Sequence, residues 1–298
     1  MRLSSFRKAI KFPEAAKRKL AAAVTRPFTY GQFPNDSHVD RDWDNLILLD
    51  ACRYDTFVNH NPFDGEVERS VSNASHTTDF LENNLTGDQF DTVYVTASPQ
   101  VTKYESRFQD VIHVWKDSWD DELRTVLPGD VTEAANDALE RYPNKKLVIH
   151  YMQPHYPFIG STGRNLETHA TFTGGLRERE HLSIWELLSS GKVGTERVRK
   201  AYRENLEIVL EEVENLVEQI GGKTVLSSDH GNLFGERVSP LPIKLYGHPP
   251  KIPAENLITV PLVELPYENR RAIQAGKNKE SKRDHADVKS RLEDLGYV

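Results

Sequence analysis

DNLILLD, residues 44–50, decides the fold: it is a short, nearly all-apolar run that ends in an acid. A run of that kind reads as a strand covered on both faces, with Asp50 at its carboxyl edge. Similar runs are Thr92 to Ala97, Val111 to Trp115, Lys146 to Met152 and Thr224 to Ser228, with Leu257 to Leu265 a later candidate. Helical segments lie between them, near Thr77 to Leu85, Trp119 to Leu127, Val131 to Arg141 and Val198 to Ile220. In the last, Leu206, Val209, Leu210, Val213, Leu216, Val217 and Ile220 recur at helical spacing among acids. Strands alternating with helices predict an α/β fold with a largely parallel central sheet and helices on both faces. Ligands of such sheets bind beyond the carboxyl ends of the strands, where Asp50, residues 150–155 and Asp229-His230 fall.

The bulk properties narrow the partners. A chain of 298 residues, 38% hydrophobic and 28% charged, can bury a sizeable core. Its net charge of -7 gives no basic footprint for nucleic acid. A single cysteine, Cys52, excludes an intramolecular disulfide and a Cys-rich zinc cluster and is compatible with a reducing compartment, so the cytoplasm is the default location. No stretch approaches the roughly 20 apolar residues of a membrane span. The first residues are nevertheless basic, with Arg2, Arg7, Lys8, Lys11, Lys17, Arg18 and Lys19 against Glu14, and Phe6, Ile10, Leu20 and Ala23 can share a helix face. That pattern fits either a surface helix or a peripheral contact with a membrane.

The expected organisation is a basic extension over 1–41, one catalytic domain over 42–265, and a charged linker with a short helix over 266–298. Residues 160–191 read as a long loop, of the kind that forms lids, with a short helix near Ser183 to Leu188. From Glu268 to Arg283 the chain is charged and nearly devoid of apolar residues, which predicts a mobile linker before a helix near Ala286 to Leu295.

Four clusters can carry chemistry, and each has a plainer structural role. In LLDACRYD, Asp50 places a hard oxygen at the sheet edge, or caps the next helix; Arg53 supports an anion, or pairs with Asp55. In SSDHGN, Asp229 and His230 offer an oxygen and an imidazole nitrogen to a divalent metal, and Gly231 lets the chain turn sharply. HYMQPHYPF sets His155 between Pro154 and Pro157, which stiffen the backbone, and His248 lies near another break in YGHPP. Ser75, Thr77 and Thr78 stand where a helix begins, as caps or as hydroxyls near an anion site.

Taken in order, these clusters resemble the alkaline phosphatase superfamily, and more closely its sulfatase-like branch. The matching order is strand-Asp with a downstream Arg, a hydroxyl helix start, QPHYP, a long helix, strand-SDHG, and a histidine before Val260-Pro261-Leu262, over roughly residues 42–265. The resemblance implies that Asp50, Asp229 and His230 bind a divalent metal and that Thr77, or Ser75 as the alternative, is a covalent nucleophile. His155 and His248 match positions that hold a second metal or the substrate oxyanion, and Arg53 matches an arginine that follows the first metal-binding aspartate. The formylglycine signature Cys-x-Pro-x-Arg is absent, and Asp50 is followed by Ala51 rather than a second acid, so zinc, manganese or magnesium is favoured over calcium, as one or two ions. The implied activity is hydrolysis of phosphate or sulfate esters. The alternatives are transfer of a phospho-group to a glycan or lipid, and metal-dependent binding without turnover.

Overall fold

The computed structural model describes residues 13–29, 33–35, 37–170, 183–239, 243–276 and 288–295. Its centre is a seven-stranded sheet in the order β2-β11-β8-β1-β7-β3-β4. The strands are β1 (Asn45–Asp50), β2 (Glu68–Val71), β3 (Gln89–Thr96), β4 (Phe108–His113), β7 (Lys146–Pro154), β8 (Thr224–Ser228) and β11 (Thr259–Glu264). Between them, Trp119–Asp120 (β5) pairs with Thr125–Val126 (β6), and Leu233–Val238 (β9) pairs with Ile243–Gly247 (β10). β1 lies between β7 and β8, parallel to both, and only β11 runs against its neighbours.

The helices are α1 (Pro13–Thr29), α2 (Tyr54–Val58), α3 (Thr77–Asn84), α4 (Val114–Asp117), α5 (Pro128–Arg141), α6 (Ser161–Ala170), α7 (Ile184–Ser189), α8 (Thr195–Val217), α9 (Glu255–Ile258) and α10 (Val288–Asp294). Side chains alternate across a strand, so β1 splits its residues between two cores. Ile47 and Leu49 join Val93, Val95, Leu147 and Ile149 under α5 and α8. Leu46 and Leu48 join Tyr94, Val148 and Val225 under Phe80 and Leu81 of α3. The sheet is therefore covered on both faces, as the apolar runs predicted. By the same parity Asp50 and His150 point to the α3 face.

Some expectations fail for local reasons. Residues 119–127 form the β5–β6 hairpin rather than a helix. Asp120 Oδ1 accepts from the backbone N–H of Glu122 (2.9 Å) and Leu123 (2.7 Å), a side-chain turn that competes with helix propagation, and Arg124 takes a φ of +55°. The run at 111–115 ends as a strand at His113 and continues as α4. Residues 257–265 begin in α9 before the strand. β2 and the β9–β10 hairpin escape a reading based on apolar runs because they are short and partly exposed.

Residues 266–276 lack regular structure yet are anchored. Arg270 bonds Asp42 and the fully buried Asp44, Arg271 donates to the carbonyls of Asp44 and Lys145 (both 2.8 Å), and Gln274 N–H reaches Asn144 O (2.9 Å). Residues 277–287 of the expected linker, residues 1–12 of the basic extension and residues 171–182 of the expected lid lie outside the described residues.

Candidate active site

Two strand ends build the floor of the site. After Asp50 the chain turns at Ala51, whose φ of +60° is rare for a residue with a Cβ. That turn aims Ala51 N–H at Asp229 Oδ1 (3.1 Å) and Cys52 N–H at Ser228 Oγ (2.9 Å), locking the ends of β1 and β8 together. Asp229 Oδ1 also accepts from His230 N–H (2.8 Å). Both bonds fall on one carboxylate oxygen, and the buried Oδ2 has no hydrogen-bond partner.

His150 faces that oxygen. Its Nδ1 lies 2.9 Å from Tyr94 OH, and its Nε2, buried and also without a hydrogen-bond partner, is 3.9 Å from Asp229 Oδ2. Ligand atoms of Asp50, His150 and Asp229 all lie within 4.8 Å of one another. His230 adds a fourth donor. Its Nδ1–H donates to Gly231 O (2.8 Å), which leaves the Nε2 lone pair 3.5 Å from Asp229 Oδ2 and 3.6 Å from Asp50 Oδ1. Burial pushes the pKa of His230 down to about 4, lowers that of His150 and raises that of Asp229. Two fully buried carboxylates facing neutral imidazoles are costly without a cation, and unpartnered oxygen and nitrogen atoms converging on one point fit a divalent metal.

Thr77 stands over this group as the first residue of α3. Its Oγ1 lies 3.2 Å from His230 Nε2 and 3.4 and 3.5 Å from the Asp50 carboxylate oxygens. His76 caps the helix, its Nδ1 accepting from Thr78 N–H (3.1 Å). The cap leaves the proton on Nε2 and gives a neutral His76 no lone pair for a metal. Its pKa is lowered to about 3, by burial first and His230 second.

A second histidine pair lies beside this group. Between Leu49 and Asp50 the register with β7 slips, so Leu49 faces Tyr151 but Asp50 faces Pro154, and His155 N–H bonds Asp50 O (3.1 Å). His155 donates Nδ1–H to Tyr156 O, so its Nε2 accepts from His248 Nε2–H at 2.7 Å. The His248 ring lies 4.9 Å from that of His230 and 5.1 Å from that of His76. Asn205 of α8, fully buried, fixes the whole loop: it donates to the carbonyls of His155 and Pro157 (both 3.1 Å) and accepts from Ile159 N–H (2.7 Å).

Asp50, Thr77, Asp229 and His230 are thus brought together, with His155 and His248 adjoining. Ser75 is turned away: its Oγ donates to Pro249 O (3.1 Å) and accepts from Ile252 N–H (3.0 Å). The Arg53 guanidinium is held by Asp55, by Glu236 Oε1 (2.7 Å) and by Asn232 O (2.9 Å), so an anion must displace a carboxylate to reach it. Burial opposes its charge, but Asp55 and Glu236 outweigh burial and hold its pKa above the ordinary value. Gly231 has no positive φ; it is small because the backbone of Asn256 and Leu257 crowds it. His76, Tyr94 and Asn205 were not singled out in the sequence, and His150 entered only as part of the strand-end segment 150–155, with no role of its own. The available signals were a histidine inside a buried strand and an asparagine at a core position of the α8 stripe.

No family model matches the chain, and no curated protein matches it. Among solved structures it is similar to the soluble domain of lipooligosaccharide phosphoethanolamine transferase A from Neisseria meningitidis, at 13% identity and a TM-score of 0.47, over 74% of this chain and 75% of that one. It is also similar to the C-terminal periplasmic domain of EptC from Escherichia coli, in complex with zinc, at 13% identity and 0.45, over 78% and 75%. A third is a protein in the alkaline phosphatase superfamily from Vibrio parahaemolyticus, at 8% identity and 0.40, over 86% and 70%. Similarity at this level does not assign an activity.

Proposed function

We propose that the chain is a metal-dependent enzyme of the alkaline phosphatase superfamily that takes a phospho-group from an ester onto Thr77 and passes it to an acceptor hydroxyl of a lipid or glycan. The observation that carries this reading is the Thr77 hydroxyl, presented at a helix start within 3.5 Å of Asp50 and His230. Asp50, Asp229 and His230 would hold the cation, with His150 as a further ligand. When bound, a zinc, manganese or magnesium ion supplies a lowered hydroxyl pKa and charge neutralisation for the ester oxygens.

Thr77 Oγ, which would have lost its proton to solvent once a cation lowered its pKa, attacks phosphorus in line as the alkoxide while the bond to the leaving oxygen breaks. His248, whose Nε2–H stays hydrogen-bonded to His155, would act through Nδ1: protonated there, it gives that proton to the leaving oxygen and returns to the neutral ring. The N-terminus of α3 and the capped His76 Nε2–H stabilise negative charge on the phospho-group. An acceptor hydroxyl then attacks phosphorus, loses its proton to His248 Nδ1, and releases Thr77 as the alkoxide that began the cycle. Thr77, Asp50, Asp229 and His230 are all fully buried, so ester and acceptor alike must bind and open the site before either half-reaction. Hydrolysis of phosphate or sulfate esters, with water in the second half, shares every residue of the first.

The test is metal content with turnover of p-nitrophenyl phosphate, bis-p-nitrophenyl phosphate and p-nitrophenyl sulfate, with and without an alcohol acceptor. Wild type should hold metal, cleave one phosphoester and give a phosphorylated alcohol. Thr77→Ala should keep the metal and lose turnover by roughly a thousandfold or more, and Asp229→Ala should lose both. Free phosphate as the sole product would assign hydrolysis; a wild type with neither metal nor turnover would sink the enzyme reading.

A further inference from the structure

α1 carries two apolar stripes where a surface helix needs one. Ala21, Ala22 and Thr25 form the inner stripe, and the helix packs on β10 and α7. On the other side Leu20, Ala23, Val24, Pro27 and Phe28 recur at i, i+3, i+4, i+7 and i+8, all exposed, with Leu20 at 65%, Val24 at 43% and Phe28 at 54%. The other exposed large hydrophobic residues among those described are Val58, Val71 and Tyr267, on three separate segments, so this stripe is a patch rather than scatter.

Charge selects what covers it. Residues 1–29 hold eight basic residues and one acid, whereas the remaining chain holds 30 basic and 44 acidic residues. A segment this positive repels a second copy of itself and attracts an anionic surface. The α1 helix lies on β10, which leads directly into His248, and Arg26 acts electrostatically on Asp79 of α3, the helix that starts at Thr77. A surface bound by α1 therefore lies close to the site.

We propose that the outer stripe of α1 docks on an anionic lipid bilayer. Leu20 and Val24 enter the headgroup boundary, Lys19 meets phosphate groups, the net positive charge of residues 1–29 draws the segment to an anionic surface, and the Thr77 site is presented to a lipid-borne ester or acceptor. Only the last clause rests on the proposed function; the docking itself does not.

The test is cosedimentation of the full chain with phosphatidylcholine vesicles, with or without phosphatidylglycerol. Wild type should bind only the anionic vesicles and release in high salt. Leu20→Ser with Val24→Ser, and separately Lys11→Glu with Lys19→Glu, should each weaken binding by about tenfold or more. Metal content and turnover of soluble p-nitrophenyl phosphate, measured on the same samples, should not change. Failure of wild type to bind anionic vesicles, or undiminished binding by the Leu20/Val24 variant, would overturn docking. A wild-type dimer that this variant dissolves would instead assign the stripe to a second copy. Loss of soluble turnover in wild type bears on the enzyme reading alone.

Discussion

Gly231→Ala is a one-methyl change that should dismantle the metal group. A Cβ at this position would lie 2.2 Å from Asn256 O, 3.1 Å from its carbonyl carbon and 3.4 Å from Leu257 Cα. Ordinary carbon–oxygen contacts begin near ~3.3 Å, so the two segments must separate by about 1 Å. All three atoms are backbone, so no rotamer change relieves the clash. Gly231 N–H is tied to Leu257 O at 2.6 Å, and Gly231 O fixes the His230 ring through Nδ1 at 2.8 Å. The displacement therefore passes to His230. Metal–ligand distances tolerate only about 0.2 Å, several times less than the shift. Metal affinity should fall by about tenfold to a hundredfold, and overpacking should cost about 1–3 kcal/mol of stability. The assay is zinc retention against a chelator series, read by elemental analysis, with a thermal melt on the same samples. Gly87→Ala, where nothing lies within 4 Å of the new Cβ, is the control. A Gly231→Ala protein that keeps zinc and melts with wild type would refute the reasoning.

His150→Phe should remove bound metal and strand the buried Tyr94 hydroxyl, costing about 1–3 kcal/mol; unchanged metal stoichiometry would exclude His150 as a ligand. Ser75→Ala should cost about 1–3 kcal/mol in a chemical melt while turnover per bound metal stays intact; lost turnover with metal retained would make Ser75 the nucleophile. Burial, opposed by a bond to Ser228 O, lowers the His38 pKa to about 4. The unfolded chain therefore takes up this proton first as pH falls. Its contribution is full above pH ~6.5 and is lost by pH ~4, on the order of 3 kcal/mol. His38→Gln should flatten the stability slope in that window, and an unchanged slope would count against the assignment.

Buried strands announced themselves because the central strands are apolar on both faces, and the amphipathic run of α8 fixed the longest helix. Segment 119–127 misled because a side-chain turn at Asp120 is a geometric event that composition does not reveal. Asp50, Asp229 and His230 were legible because each follows an apolar run directly. His150 was legible as part of a strand-end segment but not as a ligand, because a histidine within such a run looks like core, and only strand register places it beside Asp229.

The amino-acid sequence by itself determined the layered α/β sheet and which strand ends carry acids and histidines, because hydrophobic period and abrupt polar endings are local properties of the chain. The tertiary structure decided which hydroxyl and which nitrogens meet. Thr77 faces Asp50 while Ser75 closes on Pro249 and Ile252, and Arg53 turns to Asp55 and Glu236. Those choices depend on the turn at Ala51, the register slip at the end of β7 and the approach of Gly231 to Asn256. Each is a contact between segments distant in sequence, where packing and hydrogen bonding rather than local propensity set the direction of a side chain.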